Sequence, residues 1–436
     1  MPITAQNFLL ALVPVADAVM LIALDQNAMS AVSLATQVAF VLQLFAFAIT
    51  TGANMLAAQF WGNKDTASIE ELYGLSVKLM VPITLVFFVA TYFFPRQVMS
   101  IYTSVPEIIG YGADYLRVVS FSYVFNGLVM IIETFMKNTD LVKPAAAISS
   151  MTVVVNIALN AVFIYGLFGM PKMEAAGAAL ATTISNIIAF SASVIVQLAK
   201  GRVHLRISKL LKTKKEITRE FVKYTSPVLG NQLTWGIGFT TLSVIMGHLG
   251  ADAVAANSVV AIVKDLISCF CFALASGGSI LVGNELGAGE LERGKEYGHR
   301  LCMLGLWSGI AAGVLIAAAS PFIVRAVSLT ETASGYLQAM LLMCVYYMVG
   351  RSMNSIVISG VFASGGDTKF GFICDTITMW GFVIPVGALA AFVFKLPVLV
   401  VYFILNLDEI VKLPAVYKHY KKYLWVKNLT EENGTD

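Results

Sequence analysis

Residues 52–65 read GANMLAAQFWGNKD, and residues 277–290 read GGSILVGNELGAGE. The two stretches stand 225 positions apart. With no gap, the same offset lays Pro2 on Pro227, Leu24 on Leu249, Ala28 on Ala253, Ala31 on Ala256 and Ser33 on Ser258. It continues through Phe45 on Phe270, Phe47 on Phe272, Leu56 on Leu281 and Gly62 on Gly287. Chance rarely sustains identities at one offset over two apolar runs and the turn between them, so the chain reads as two related halves.

The surroundings of these stretches identify the solvent. The chain is 58% hydrophobic and 13% charged, with a mean hydropathy of +0.79, whereas soluble domains carry about a quarter charged residues. Runs long enough to cross hydrocarbon, about 20 residues each, fall near 3–24, 31–60, 72–94, 108–135, 144–169 and 175–199. After a basic stretch they recur near 221–248, 253–283, 297–319, 334–363, 370–394 and 396–416. The expected fold is therefore an all-α membrane protein of twelve transmembrane helices in two pseudo-symmetric six-helix lobes. Its expected organisation is an N-lobe over 1–199, a basic linker over 200–220, a C-lobe over 221–416 and a tail over 417–436.

Charge placement sets orientation. Residues 200–223 hold nine Lys or Arg against Glu216 and Glu220, and a short segment with that bias stays cytoplasmic. Alternate loops carry Lys64, Lys137, Lys143, Arg293, Lys295, Arg300 and Lys369, and the tail carries Lys418, Lys421, Lys422 and Lys427. Both termini are expected in the cytoplasm of a multi-pass plasma-membrane protein. The first run is too long for a cleavable signal h-region and reads as a spanning helix. Its abrupt start at Met1-Pro2, with no basic residue ahead, is expected to mean that the natural chain begins somewhat earlier. A net charge of +3 implies no nucleic-acid partner. The five cysteines lack metal-type spacing and read as packing residues. An even helix count per half inserts both halves with the same orientation, the parallel-repeat plan of some transporters.

The paired loops, together with PVADAVM (14–20), NIALNAVFIYG (156–166), AAGAALATTISN (175–186) and SGGDTKF (364–370), resemble multidrug and toxic compound extrusion (MATE) transporters. The resemblance spans essentially the whole chain. It implies a V-shaped pair of six-helix lobes and no enzymatic activity or cofactor. It also implies export of organic cations, drugs or other amphipathic xenobiotics by alternating access, coupled to inward H+ or Na+ flow. A monomer in the lipid bilayer is the expected working form.

Charges inside the runs are the candidate site residues, since an ionised carboxylate at a helix centre costs about 2.5–3.5 kcal/mol on insertion scales. Asp17 lies mid-run, and its repeat partner is Leu242. The resemblance places the family's first-helix acid here, so Asp17 is the expected coupling residue, carrying a proton or a sodium ion. Asn156 and Asn160 share a helix face, and with Thr182 they could add oxygens around a hard cation. Some members carry an aspartate at the position of Asn160, and that second acid is missing. In the C-half the family's acids of helices seven, ten and eleven correspond to Trp235, Asn354 and Asp375. One acid of three survives, and Asp375 with Asn354 and Asp265 is the expected variant cation site. Lys264 and Asp265 are expected to neutralise each other or to partner Arg351. Trp235, through cation–π contact, and Arg351 are expected at the substrate cavity. Glu133, Lys78, Asp114 and Arg117 sit near run ends and read as snorkelling residues. Asp408, Glu409 and Lys412 read as a cytoplasmic-end cluster.

The rival reading is a lipid-linked oligosaccharide or lipid flippase of the same superfamily, which needs a strongly charged cavity for pyrophosphate. Few Arg or Lys fall within the runs to build one. No aspartate cluster suits the magnesium diphosphate of a membrane transferase, and no Walker-type loop is present, so an ion gradient is the expected energy source.

Overall fold

The computed structural model describes residues 6, 9, 20, 26–203, 213–327 and 329–430. Those residues are nearly all helical. In chain order the long elements are α1 (Gln26–Gly62), α2 (Thr66–Phe93), α3 (Pro106–Asn138), α4 (Val142–Tyr165) and α5 (Glu174–Lys200). They continue with α6 (Lys215–Gly247), α7 (Ala251–Gly287), α8 (Leu291–Ala326), α9 (Glu331–Asn354) and α10 (Thr368–Thr376). Helix α9 runs on as a π-helix over Ser355–Phe362, and α10 continues through π segments Ile377–Val383 and Leu389–Val393. Among the described residues nine spans are long and apolar enough to cross a membrane. Most of the first predicted run, including Asp17, lies outside the described residues.

The twelfth run differs from its expectation. A continuous helix over 396–416 was expected, yet the chain forms three short helices, α11 (Val398–Leu405), α12 (Asp408–Val411) and α13 (Leu413–Tyr420). The break leaves its backbone paired: Asn406 N donates to Tyr402 O at 3.2 Å, and Val411 N donates to Leu407 O at 2.9 Å. Such pairing is what an interruption at membrane depth requires. Its effect is to turn Asp408, Glu409 and Lys412 inward, where all three are buried.

The chain divides into two compact units, Met1–Ala57 with Asp65–Phe221, and Ala58–Lys64 with Val222–Asp436. In the first unit, α5 packs against α4 through the small residues of AAGAAL. A Cβ on Gly177 would stand 2.7 Å from the Phe163 carbonyl oxygen, a close approach typical of membrane helix pairs. Ala175, Ala178 and Ala179 join Ile164, Leu116, Val119 and Val38 in that unit's core.

Residues 58–64 belong with the second unit because of the two quoted loops. A Cβ on Gly62 would lie 2.0 Å from the Asn284 carbonyl oxygen, and one on Gly287 would lie 2.0 Å from the Gln59 carbonyl oxygen. The repeat-related glycines thus carry a reciprocal crossing of two backbones. The turns that follow also match. Lys64 and its repeat partner Gly289 both take positive φ, 60° and 80°, and Asp65 caps α2 by accepting from Ser68 N at 3.0 Å. Buried Gln59 then anchors the chain's tail. Its Nε2 donates to Ser364 O at 2.7 Å and Lys427 O at 3.1 Å, and its Oε1 accepts from Leu429 N at 2.6 Å. Trp425, wholly buried, fills the slot beside Gly298 and Gly365.

Candidate functional site

The second unit buries a connected set of charges. Asp375 on α10 accepts from Lys412 Nζ at 2.8 Å and from Asn231 Nδ2 of α6 at 3.0 Å. Lys412 also pairs with Glu409 at 3.0 Å. Glu409, 1% exposed as a side chain, binds Arg351 of α9 at 2.8 Å. Asn354, one turn beyond Arg351, donates to the Glu409 carboxylate at 2.8 Å and to its carbonyl at 2.7 Å. Buried Asp408 adjoins them and, with Trp235, Asp375, Thr378 and Lys412, lines a narrow cleft. The Arg351 guanidinium lies 5.0 Å from the Phe272 ring and 5.8 Å from the Trp235 ring, and Trp235 stacks on Phe239. The π segments of α9 and α10 begin just after Asn354 and Asp375, a placement common at functional positions.

Buried ions persist when paired and hydrogen-bonded. Here three carboxylates, Asp375, Asp408 and Glu409, face three cations, Lys264, Arg351 and Lys412. The set is electrically balanced, but its hydrogen bonding is incomplete. The amide oxygens of Asn231 and Asn354 are buried without a hydrogen-bond partner among the described residues. An unmet buried acceptor costs about 1–3 kcal/mol, so both amide oxygens favour a hydrogen-bond donor beside them.

One expectation is corrected by this geometry. Asp375, Asn354 and Asp265 do not converge on one cation. An ammonium occupies Asp375, Asn354 turns to Glu409, and Asp265 is exposed. Lys264 and Asp265 interact electrostatically with each other and with Arg351, although as adjacent helical residues their side chains diverge. Lys264 Nζ instead donates to Asn406 Oδ1 at 2.7 Å and sits 3.7 Å from the Tyr347 ring centre, while Arg351 takes Glu409 as its partner.

The first unit gathers its own candidates. Asn156 Nδ2 reaches Thr182 Oγ1 at 3.3 Å, and Asn160 Nδ2 reaches Asn156 Oδ1 at 3.2 Å, so α4 and α5 bring the three side chains together. Asp17, their expected companion, lies outside the described residues. Sequence reasoning missed Glu133. Far from snorkelling, it is buried, accepts from Gln6 Nε2 at 2.9 Å and from Ser149 Oγ at 2.5 Å, and pairs with Lys137 at 3.6 Å. One carboxylate thus joins Gln6 to α3 and α4. The i,i+4 spacing of Glu133 and Lys137 was the available signal. For Glu409 and Lys412 it was their i,i+3 spacing, with no sign that the chain would fold them inward.

Apolar helices in two units, with paired charges and Trp235 lining a narrow cleft, suit a polytopic membrane transporter. The MatE family profile matches residues 2–162 and 227–389, one segment in each half. The chain belongs to the MatE family. It is 26% identical over 411 residues to the probable multidrug resistance protein YoeA of Bacillus subtilis, covering 93% of this chain and 88% of that one. It is 24% identical over 417 residues to the uncharacterized transporter YisQ of the same organism, covering 94% and 90%. Among solved structures, the Vibrio cholerae MATE transporter VcmN in its bent form superposes with a TM-score of 0.86 at 14% identity, over 98% of this chain and 96% of that one. That likeness speaks to fold. Both the resemblance read from the sequence and the all-α membrane architecture are borne out.

Proposed function

We propose that the protein is a cation-coupled antiporter of the plasma membrane that exports amphipathic organic cations, drugs or other xenobiotics by alternating access. Both termini are cytoplasmic in this reading, and lobes spanning 1–199 and 221–416 work as a monomer. The observation that carries the reading is the balanced set Asp375–Lys412–Glu409–Arg351 beside Trp235. An organic cation entering the cleft must take over a carboxylate from its lysine or arginine partner to offset its charge, and an aromatic face must receive its apolar body. A proton that neutralises the same carboxylate withdraws that offset, so cation and proton exclude one another, which is the condition for antiport. One charge crossing 100 mV supplies about 2.3 kcal/mol, enough for a gradient of roughly fiftyfold.

In the second unit the coupling ion is a proton, because the ammonium of Lys412 already occupies the place on Asp375 where sodium would bind. Sodium remains a candidate in the first unit, where Asn156, Asn160 and Thr182 come together and could offer neutral oxygens. The flippase reading loses support from the same set: each carboxylate offsets a cation, leaving no positive excess for a pyrophosphate. The test is efflux of a fluorescent organic cation from proteoliposomes under a proton or a sodium gradient, for wild type and Asp17→Asn. A gradient that drives efflux in wild type alone supports the reading and names the ion. Efflux driven by neither gradient overturns it.

A further inference from the structure

A second cavity lies in the same unit, away from the charged set. It has a volume of about 260 Å3 and is lined by Lys223 and Tyr224 of α6, Asp367 and Lys369 at the start of α10, and Leu424 and Lys427 of the tail. We propose that this cleft binds a phosphate group, carried by an anionic lipid or by a free phosphate compound, with Lys223, Lys369 and Lys427 as its charge partners.

Lysines scattered over loop ends would be explained by topology alone. These three come from separate segments and converge on one concavity. Like charges sharing a cleft raise its potential and favour an anion there. One acid, Asp367, shares the cleft with the three lysines, and its Oδ2 is held by His419 Nε2 at 2.5 Å. His419 is itself fixed by stacking on Phe370, with centroids 3.7 Å apart. The wall is built rather than loosely draped. Lys427 arrives because Gln59 binds its carbonyl and Trp425 is sunk in the core. A Cβ on Gly365 would fall 1.5 Å from the Trp425 carbonyl oxygen, and Gly366 takes φ +79° against the Tyr224 ring.

The location suits a headgroup. Lys369 stands at the first turn of the candidate span Thr368–Val393, and Leu424, 47% exposed, offers an apolar wall beside the lysines. Basic pockets at the ends of membrane helices take anionic headgroups in this way, each lysine adding about 1 kcal/mol, or roughly fivefold.

The test uses the full-length protein in nanodiscs of phosphatidylcholine, titrated in separate arms with phosphatidylglycerol and with inorganic phosphate. Retained lipid is read by native mass spectrometry and stability by thermal unfolding. The variants are Lys223→Gln/Lys369→Gln/Lys427→Gln and the corresponding triple arginine form. The expected result is retention and thermal protection by phosphatidylglycerol in the wild-type and arginine forms, with affinity falling on the order of a hundredfold in the glutamine form. Protection by inorganic phosphate with the same lysine dependence assigns the site to a free phosphate compound. Equal binding by the wild-type and glutamine forms, or no binding in either arm, overturns the proposal.

Discussion

Replacing Gly62 or Gly287 with alanine should separate the two backbones whose crossing holds residues 58–64 in the second unit. The added Cβ would sit 2.0 Å from a carbonyl oxygen in each case, about 1.4 Å short of the 3.4 Å at which ordinary van der Waals contact begins. Each obstacle is main chain of the opposing segment, so no side-chain rotation relieves it. Alanine gains about 1 kcal/mol over glycine in helix propensity, while overpacking costs about 1–3 kcal/mol and sometimes more. A 2.0 Å approach to main chain stands at the top of that range, so the clash prevails and each variant should lose about 2 kcal/mol net, with a fall in Tm of roughly 2–4 °C per kcal/mol for a unit of this size. Gly335→Ala is the control, because nothing lies within 4 Å of its Cβ position; it should be neutral or stabilising. The assay is thermal unfolding in detergent followed by size-exclusion fluorescence. Wild-type stability in Gly62→Ala and Gly287→Ala would refute the reasoning.

Glu409→Gln strips Arg351 and Lys412 of a buried carboxylate and should destabilise by about 3–5 kcal/mol; the double variant Glu409→Leu/Arg351→Met should recover much of the loss in a thermal double-mutant cycle. Glu133→Gln weakens what Gln6 and Ser149 donate to and should cost about 1–3 kcal/mol, seen as a lower Tm and as faster proteolysis near the start of the chain. Trp425→Ala empties a fully buried slot and should cost about 3–5 kcal/mol, releasing the tail to carboxypeptidase digestion that the wild type resists.

The helical runs and the repeat were legible because the bilayer demands long apolar stretches and the two halves kept the same glycines. The interruption of the twelfth run was not. Residues 398–405 are apolar apart from the Tyr402 hydroxyl, and Asn406 at the turn accepts from Lys264, 142 residues away. Asp375, Arg351 and Asn354 stood out because charge or amide inside hydrocarbon is costly. Their grouping did not, since Glu409 and Lys412 join them only once the broken helix folds inward. Asn156, Asn160 and Thr182 were legible from helical spacing, and the structure brings them together. Glu133 was misread because a charge near a run end faces water or core according to what packs over it, here Gln6 and Ser149.

The most direct test of the account is concentrative efflux of tetraphenylphosphonium from proteoliposomes under an imposed proton gradient, comparing wild type with Asp375→Asn. The variant should stay folded, because Glu409 still holds Lys412 at 3.0 Å. It should nevertheless lose gradient-driven efflux, because the buried set then carries an uncompensated positive charge that repels the substrate. Efflux at the wild-type rate in folded Asp375→Asn would contradict the claim that these charges couple export to the ion gradient.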